Sequence, residues 1–121
     1  MRELRFPKIN QITISGHVTK DIMIKLLPSG KMVGDFNIAH NSSWKDSKGD
    51  WQEKASFYKV VVWGKYAEAI GNLIIKGTPL IISGAIEKEE YKDSDGITKR
   101  ITKITADSIH VLSKETEYNN G

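Results

Sequence analysis

Cysteine is missing from all 121 residues. Disulfides, thiolate nucleophiles and cysteine-ligated metal sites are excluded with it. Histidine is scarce. His17, His40 and His110 stand far apart on separate predicted strands, without the paired spacing of a metal site. No apolar run approaches the roughly 20 residues that cross a bilayer, so no membrane partner is expected. The opening residues "MRELRFPK" lack the apolar segment of a signal peptide, and a cytoplasmic location follows as the default. "WGK", Trp63 to Lys65, lacks the upstream glycine and the following Ser or Thr of a phosphate loop. The carboxylates of "EKEE", Glu87 to Glu90, read as a solvated strand. Neither an enzyme nor a cofactor is expected from these residues. Internal repeats and low-complexity linkers are also lacking.

What remains suits one domain with a single core. Hydrophobic residues make up 39% of the chain and charged residues 27%, the balance of a globular protein. Net charge is +3, which is compatible with a polyanionic partner but does not by itself demand one. Where the charge is placed matters more than its sum.

The pattern predicts five strands and one short helix. A first strand covers roughly Ile9 to Val18, with Ile12 and Ile14 on one face. "PSG", Pro28 to Gly30, is a turn. A second strand, Lys31 to His40, turns Met32, Phe36 and Ile38 inward and Lys31, Asp35 and Asn37 outward. "KDSKGD", Lys45 to Asp50, is a polar loop before the third strand. "KYAEAIGNLIIKGTP" then takes helical spacing through Tyr66, Ala69, Ile70, Leu73 and Ile74. Gly77 is placed at C′, and Pro79 enforces the stop. A fourth strand follows from Thr78 to Lys92, with Leu80, Ile82 and Ile86 on one face. "DSDG", Asp93 to Gly96, is a hairpin turn, and a fifth strand runs from about Thr98 to Leu112. This order predicts an all-β fold with one short helix: an OB-fold, a five-stranded antiparallel Greek-key barrel with the helix between strands three and four. The domain is expected over residues 1–112, followed by a short, frayed polar segment over 113–121.

One stretch of the third strand, "SFYKVVVWGK" from Ser56 to Lys65, has two unlike faces. Tyr58, Val60 and Val62 form an ordinary core face. The other face alternates Phe57, Lys59, Val61, Trp63 and Lys65, mixing large rings with ammonium groups. Rings offer stacking surface to any base, and lysines offer charge to any phosphate. Each residue also has a plainer reading. Trp63 is equally suited to a core or a subunit contact. Lysines on a strand more often guard a sheet edge than contact a ligand. Val61 on the mixed face suggests a surface shared with another subunit, and Trp51 reads as a loop anchor.

The chain also resembles the bacterial single-stranded DNA-binding proteins, over roughly Ile9 to Leu112. The resemblance rests on "INQITISGHVTKD", "LPSGKMVGDFNIA", "SSWKD", "SFYKVVVWGKYAEAI" and "KGTPLIISGAIEKEEYKDSDG" in that order. It implies sequence-independent binding of single-stranded DNA in replication, recombination and repair. It implies base-stacking rings at Trp44, Phe57, Trp63 and Tyr91, and basic positions at Lys59, Lys65 and Lys76. It also implies a homotetramer, with Tyr58 where the family places subunit contacts, and a nucleoid-associated location in the cytoplasm.

Two departures stand out. The family often carries basic residues late in the fourth strand, where this chain reads Glu87, Lys88, Glu89, Glu90. Acids there would repel phosphate. The family usually ends in an acidic tail that recruits replication and repair enzymes, and no such recruitment is expected from this chain. These departures leave open a second reading, a primosomal OB-fold module that binds proteins and touches nucleic acid only weakly.

Overall fold

A computed structural model describes residues 5–112. The polar segment expected over 113–121 lies outside the described residues. The elements, in chain order, are β1 (Ile12–Val18), β2 (Met23–Leu26), β3 (Met32–Lys45), β4 (Trp51–Trp63), α1 (Gly64–Ile70), a 3-10 turn (Gly71–Leu73), β5 (Pro79–Lys92) and β6 (Thr98–Val111). The sheet runs β1-β5-β6-β4-β3, and β1 pairs again with β3 through His17–Ala39 and Val18–Ile38. That last pairing closes five strands into a barrel, with α1 between the third and fourth of them.

Apolar residues alternating along each strand line the interior. Val18, Phe36, Ile38, Val60, Val62, Leu80, Ile82 and Ile104 are all buried. Each such side chain contributes about 1.5–3 kcal/mol of transfer free energy. α1 closes one end of the barrel. Its Ala67 and Ile70 enter the core, and the Tyr66 hydroxyl accepts the Ile109 N–H at 2.7 Å. That bond serves the edge of β6 beyond its short pairing with β4, which covers only Lys59–Val61 against Lys103–Thr105.

The structure departs from the sequence expectation in four places. The short β2 adds a sixth strand, paired only with β3. All four of its residues are exposed, so it leaves no burial pattern to read. The β4–β6 pairing is parallel, whereas the rest are antiparallel. The helix is shorter than its spacing implied. It tightens into a 3-10 turn at Gly71, and three residues per turn rotate Leu73 outward while Ile74 is fully buried. Gly77 therefore sits in a separate turn, with its N–H donating to the Val18 carbonyl, rather than at the C′ of α1. Finally, β3 and β4 run on past the barrel as a two-stranded ribbon, Asn41–Lys45 against Trp51–Ala55. A ribbon solvated on both sides needs no alternating apolar residues, and this segment has none.

Candidate functional site

The outer face of β4 can be read from its registers. Phe57, Lys59, Val61 and Trp63 lie opposite Ala39, Asn37, Asp35 and Val33 of β3. On the other side, Lys59 aligns with Lys103 and Val61 with Thr105. Antiparallel pairing carries this face to β5, where Thr105, Lys103, Ile101 and Lys99 meet Ala85, Glu87, Glu89 and Tyr91. Phe57, Lys59, Trp63 and Tyr91 therefore share one outer surface. Phe57 is 67% exposed, Trp63 44% and Tyr91 51%. Rings left this open on a sheet face are not core. The core reading of Trp63 loses its ground.

The other expected residues are placed differently. β4 ends at Trp63, and Gly64 turns the chain at φ +72°, a left-handed conformation that glycine adopts without steric cost. Lys65 thus belongs to α1 and not to the strand face; it is exposed next to the β2–β3 turn, by Gly30 and Lys31. Lys76 stands before β5, at the opposite end of that strand from Glu87 and Glu89. Its N–H is held by the Asp21 carboxylate at 2.7 Å. The expected second strand, here β3, runs on beyond His40, to Lys45. Trp44 lies within it, paired with Gln52, and its parity puts it on the ribbon face opposite to Phe57.

Val61 corrects another expectation. It is only 4% exposed, covered by its own chain, and leaves no apolar surface for a second subunit. Tyr58 is half-buried against the same core. Trp51 is not a loop anchor either. It opens β4, is 67% exposed, and has the Lys45 ammonium 5.6 Å from its ring centroid.

The acids of β5 divide between two faces. Glu87 and Glu89 lie on the Phe57 face, whereas Glu90 alternates to the other and pairs with Arg100 at 2.7 Å. Glu87 accepts the Thr105 hydroxyl at 2.6 Å. Glu89 accepts from Lys103 at 3.1 Å. The Lys103 hydrogen bond, then the Lys103 charge and the charge of Lys59, hold the Glu89 carboxyl below its ordinary value. The sheet face therefore carries three lysines, Lys59, Lys99 and Lys103; Lys103 is engaged by Glu89, and Lys99 lies 3.9 Å from the Asp93 carboxylate.

One histidine is tied into the barrel. His40 Nδ1 donates to the Ser15 carbonyl at 2.8 Å, across the gap between β3 and β1. Among the described residues no group of three His, Asp or Glu side chains could hold a metal ion. No helix among them is long and apolar enough to cross a membrane.

A closed five-stranded barrel with its helix between the third and fourth barrel strands, and an open ring-bearing sheet face, defines an OB-fold protein. Residues 9–112 match the single-strand binding protein family, and the chain belongs to that family. It is 33% identical over 109 residues to Single-stranded DNA-binding protein 2 of Chlorobaculum tepidum, covering 89% of this chain and 74% of that protein. It is 31% identical over 112 residues to Single-stranded DNA-binding protein 1 of Streptococcus pyogenes, covering 93% and 85%. Among solved structures it resembles the Plasmodium falciparum SSB in complex with single-stranded DNA. The TM-score is 0.81 at 23% identity, over 91% of this chain and 100% of that one. A deletion mutant of the single-stranded DNA-binding protein of Thermus aquaticus gives a TM-score of 0.78 at 24% identity, over 88% and 52%. At these identities the structural likeness concerns the fold.

Proposed function

We propose that this protein binds single-stranded DNA without regard to sequence, coating strands exposed in replication, recombination and repair in the bacterial cytoplasm. The observation that carries this reading is the pair of open rings, Phe57 and Trp63, on the outer β4 face with Lys59 between them. Bases stack on Phe57, Trp63 and Tyr91, and Trp44 adds a ring from the ribbon. Each stacked base contributes about 1–3 kcal/mol whatever its identity. Lys59, Lys65 and Lys76 pair with phosphates, so affinity falls as salt rises. Family membership supports the same reading.

A homotetramer is proposed with it. Its physical support is the free backbone edge of β1, where pairing with β3 begins only at His17 and leaves Ile12–Ile14 joined to β5 alone. Exposed strand edges are templates for pairing with another chain.

The primosomal interaction module draws its support from Glu87 and Glu89, which offer carboxylates on the face where phosphates would pass. Competition separates the two readings. Oligo(dT) is expected to quench tryptophan emission at low salt, with duplex DNA a poor competitor. No binding of oligo(dT), or equal binding of duplex, overturns the proposal.

A further inference from the structure

Trp51 is a large aromatic side chain that neither the barrel core nor the β4 sheet face uses. It stands at the start of β4, six positions before Phe57, which is six positions before Trp63. Alternation therefore gives the three rings one parity. At about 3.4 Å per residue, neighbouring rings along this strand are roughly 20 Å apart. Beyond the barrel the register continues without a shift from Ala39↔Phe57 to Lys45↔Trp51, so no bulge moves Trp51 to the other face of the ribbon. Trp44 takes that other face.

Among the described residues nothing packs over the Trp51 ring as a core would. It is as exposed as Phe57, and its neighbour is the cross-strand Lys45 ammonium. A ring beside an ammonium repeats the Phe57–Lys59 combination at the ribbon's distal end. The ribbon tip is also held in shape. Asp46 Oδ1 accepts the N–H groups of Lys48 and Asp50 at 2.9 and 3.0 Å, and Oδ2 accepts from Gln52 at 3.0 Å. A large exposed ring on an ordered support is a costly feature to leave in water, and a base offers it a flat, charge-tolerant cover.

We infer that Trp51 is a further base-stacking platform, which extends the Trp63–Phe57 track onto the β3–β4 ribbon, with Lys45 as its phosphate partner. This rests on the single-stranded DNA reading above. It adds that a longer stretch of strand is engaged than the barrel face alone can hold. The acceptor is the shared chemistry of any unpaired nucleotide, a π-face next to a phosphate.

The test compares the full chain with its Trp51→Ala, Trp51→Phe and Trp63→Ala variants, using oligo(dT) of two lengths. Folds of this type occupy sites of about 4–16 nucleotides, so the lengths are taken at the two ends of that range. Trp51→Ala is expected to weaken binding of the long probe by roughly five- to 150-fold, the worth of one stacked base. It should leave the short probe, which the barrel face accommodates, nearly unchanged. Trp51→Phe should restore most of the loss. The melting temperature of Trp51→Ala should match the wild type, because the ring is open to solvent. Trp63→Ala should weaken both lengths. Wild-type affinity of Trp51→Ala for the long probe, with Trp63→Ala impaired, overturns this inference and leaves the proposed function standing. A change in the oligomeric state of DNA-free Trp51→Ala also overturns it, because the ring would then serve a protein contact. Failure of the wild type to bind either probe overturns both.

Discussion

The β3–β4 and β5–β6 ribbons close on the same turn. In one, Asp46 N–H donates to the Asp50 carbonyl and Gly49 N–H to the Asp46 carbonyl; in the other, Asp93 and Gly96 make the corresponding bonds with Ile97 and Asp93. The aspartate carboxylate accepts two backbone N–H groups in each, and the glycine takes φ +84° in one and +79° in the other. The ribbons behind these turns are unlike. On β5–β6 the acids find cross-strand partners: Glu87 with Thr105, Glu89 with Lys103, Glu90 with Arg100, and Asp93 with Lys99 at 3.9 Å. On the distal β3–β4 ribbon an ammonium lies over an indole across the strands. One hairpin pairs Glu87, Glu89 and Glu90 within itself. The other leaves its rings uncovered.

Exposed ion pairs of this kind are screened by water and salt, so their weight in stability is slight. Their effect on the surface is larger. Glu89 takes up the charge of Lys103 and draws on that of Lys59, which reduces the positive field on the sheet face shared with Phe57 and Trp63. On the proposed reading, stacking falls chiefly to β4 and its ribbon, and restraint of the electrostatic contribution to β5.

The largest effect should come from the rings. Phe57→Ala and Trp63→Ala are each expected to reduce affinity for oligo(dT) by about 1–3 kcal/mol. Melting temperatures should fall little, since neither ring is buried. Tyr91→Ala should cost less, because its strand brings Glu89 along the same face. Titrations of the three variants side by side decide this. An equal loss for Tyr91 and Phe57 would erase the distinction between the hairpins.

Salt dependence comes next. Replacing Glu87 or Glu89 by lysine should steepen the slope of log affinity against log salt by about 0.7 for each additional phosphate neutralised. Glu90→Lys should leave the slope alone, since Glu90 belongs to the other face. Strand parity separates Glu90 from the other two in the sequence, and the register places Glu87 and Glu89 on the Phe57 face. A slope that responds equally to all three would mean that DNA passes over both faces of the β5–β6 ribbon.

The barrel is legible in the sequence because its strands have one wet and one dry face. Ile38, Val60, Val62, Leu80 and Ile82 announce themselves by alternation, and all are fully buried. β2 and the distal ribbon are not legible for the converse reason: neither buries a face. The matched "KDS-x-G" runs at Lys45–Gly49 and Lys92–Gly96 are a usable signal, since a tight turn recognised at Asp93 implies the same turn, and so a ribbon, at Asp46. Among the candidate residues, Phe57, Lys59 and Trp63 come together as their spacing implies. Lys65 does not, because the left-handed Gly64 between it and Trp63 ends the strand. Trp51 reads as a loop anchor because its surroundings are polar, and polar surroundings conceal a strand that is open on both sides.

The two turns provide a paired test of smaller size. Asp46→Ala should loosen the ribbon tip, speeding hydrogen exchange at the Lys48 and Asp50 amides and weakening the binding of long oligonucleotides. Asp93→Ala should loosen the Asp95 and Ile97 amides in the same way and affect binding less. Asp46 is held below its ordinary value of 3.8 first by the Asp50 amide, with Lys48, Gln52 and Gly49 adding to it. Its contribution is therefore present above that value and lost as pH falls through the lowered one. Equal effects of the two substitutions on binding would show that the ribbons serve DNA alike.

The smallest expected effect concerns Glu89 and acid. Its carboxyl is held below the ordinary 4.5 by the Lys103 hydrogen bond and by the charges of Lys103 and Lys59. Whatever it adds to folding is therefore fully present above 4.5 and disappears as pH drops through the lowered value. Binding has the opposite sign. A phosphate that draws Lys103 and Lys59 away leaves Glu89 beside a negative charge, which raises its pKa in the complex. Complex formation then takes up a proton as pH approaches the acid range, and affinity for oligo(dT) should rise slightly between pH 7 and about 4.5. Other carboxylates contribute to the same trend, so the measurement is a difference. Wild type and Glu89→Gln are titrated at both pH values, and Glu89→Gln should bind somewhat more tightly at about pH 7 and gain less on acidification. Identical pH dependence in the two proteins would mean that Lys103 stays with Glu89 when DNA binds, and that the β5 side of the face lies off the strand's path.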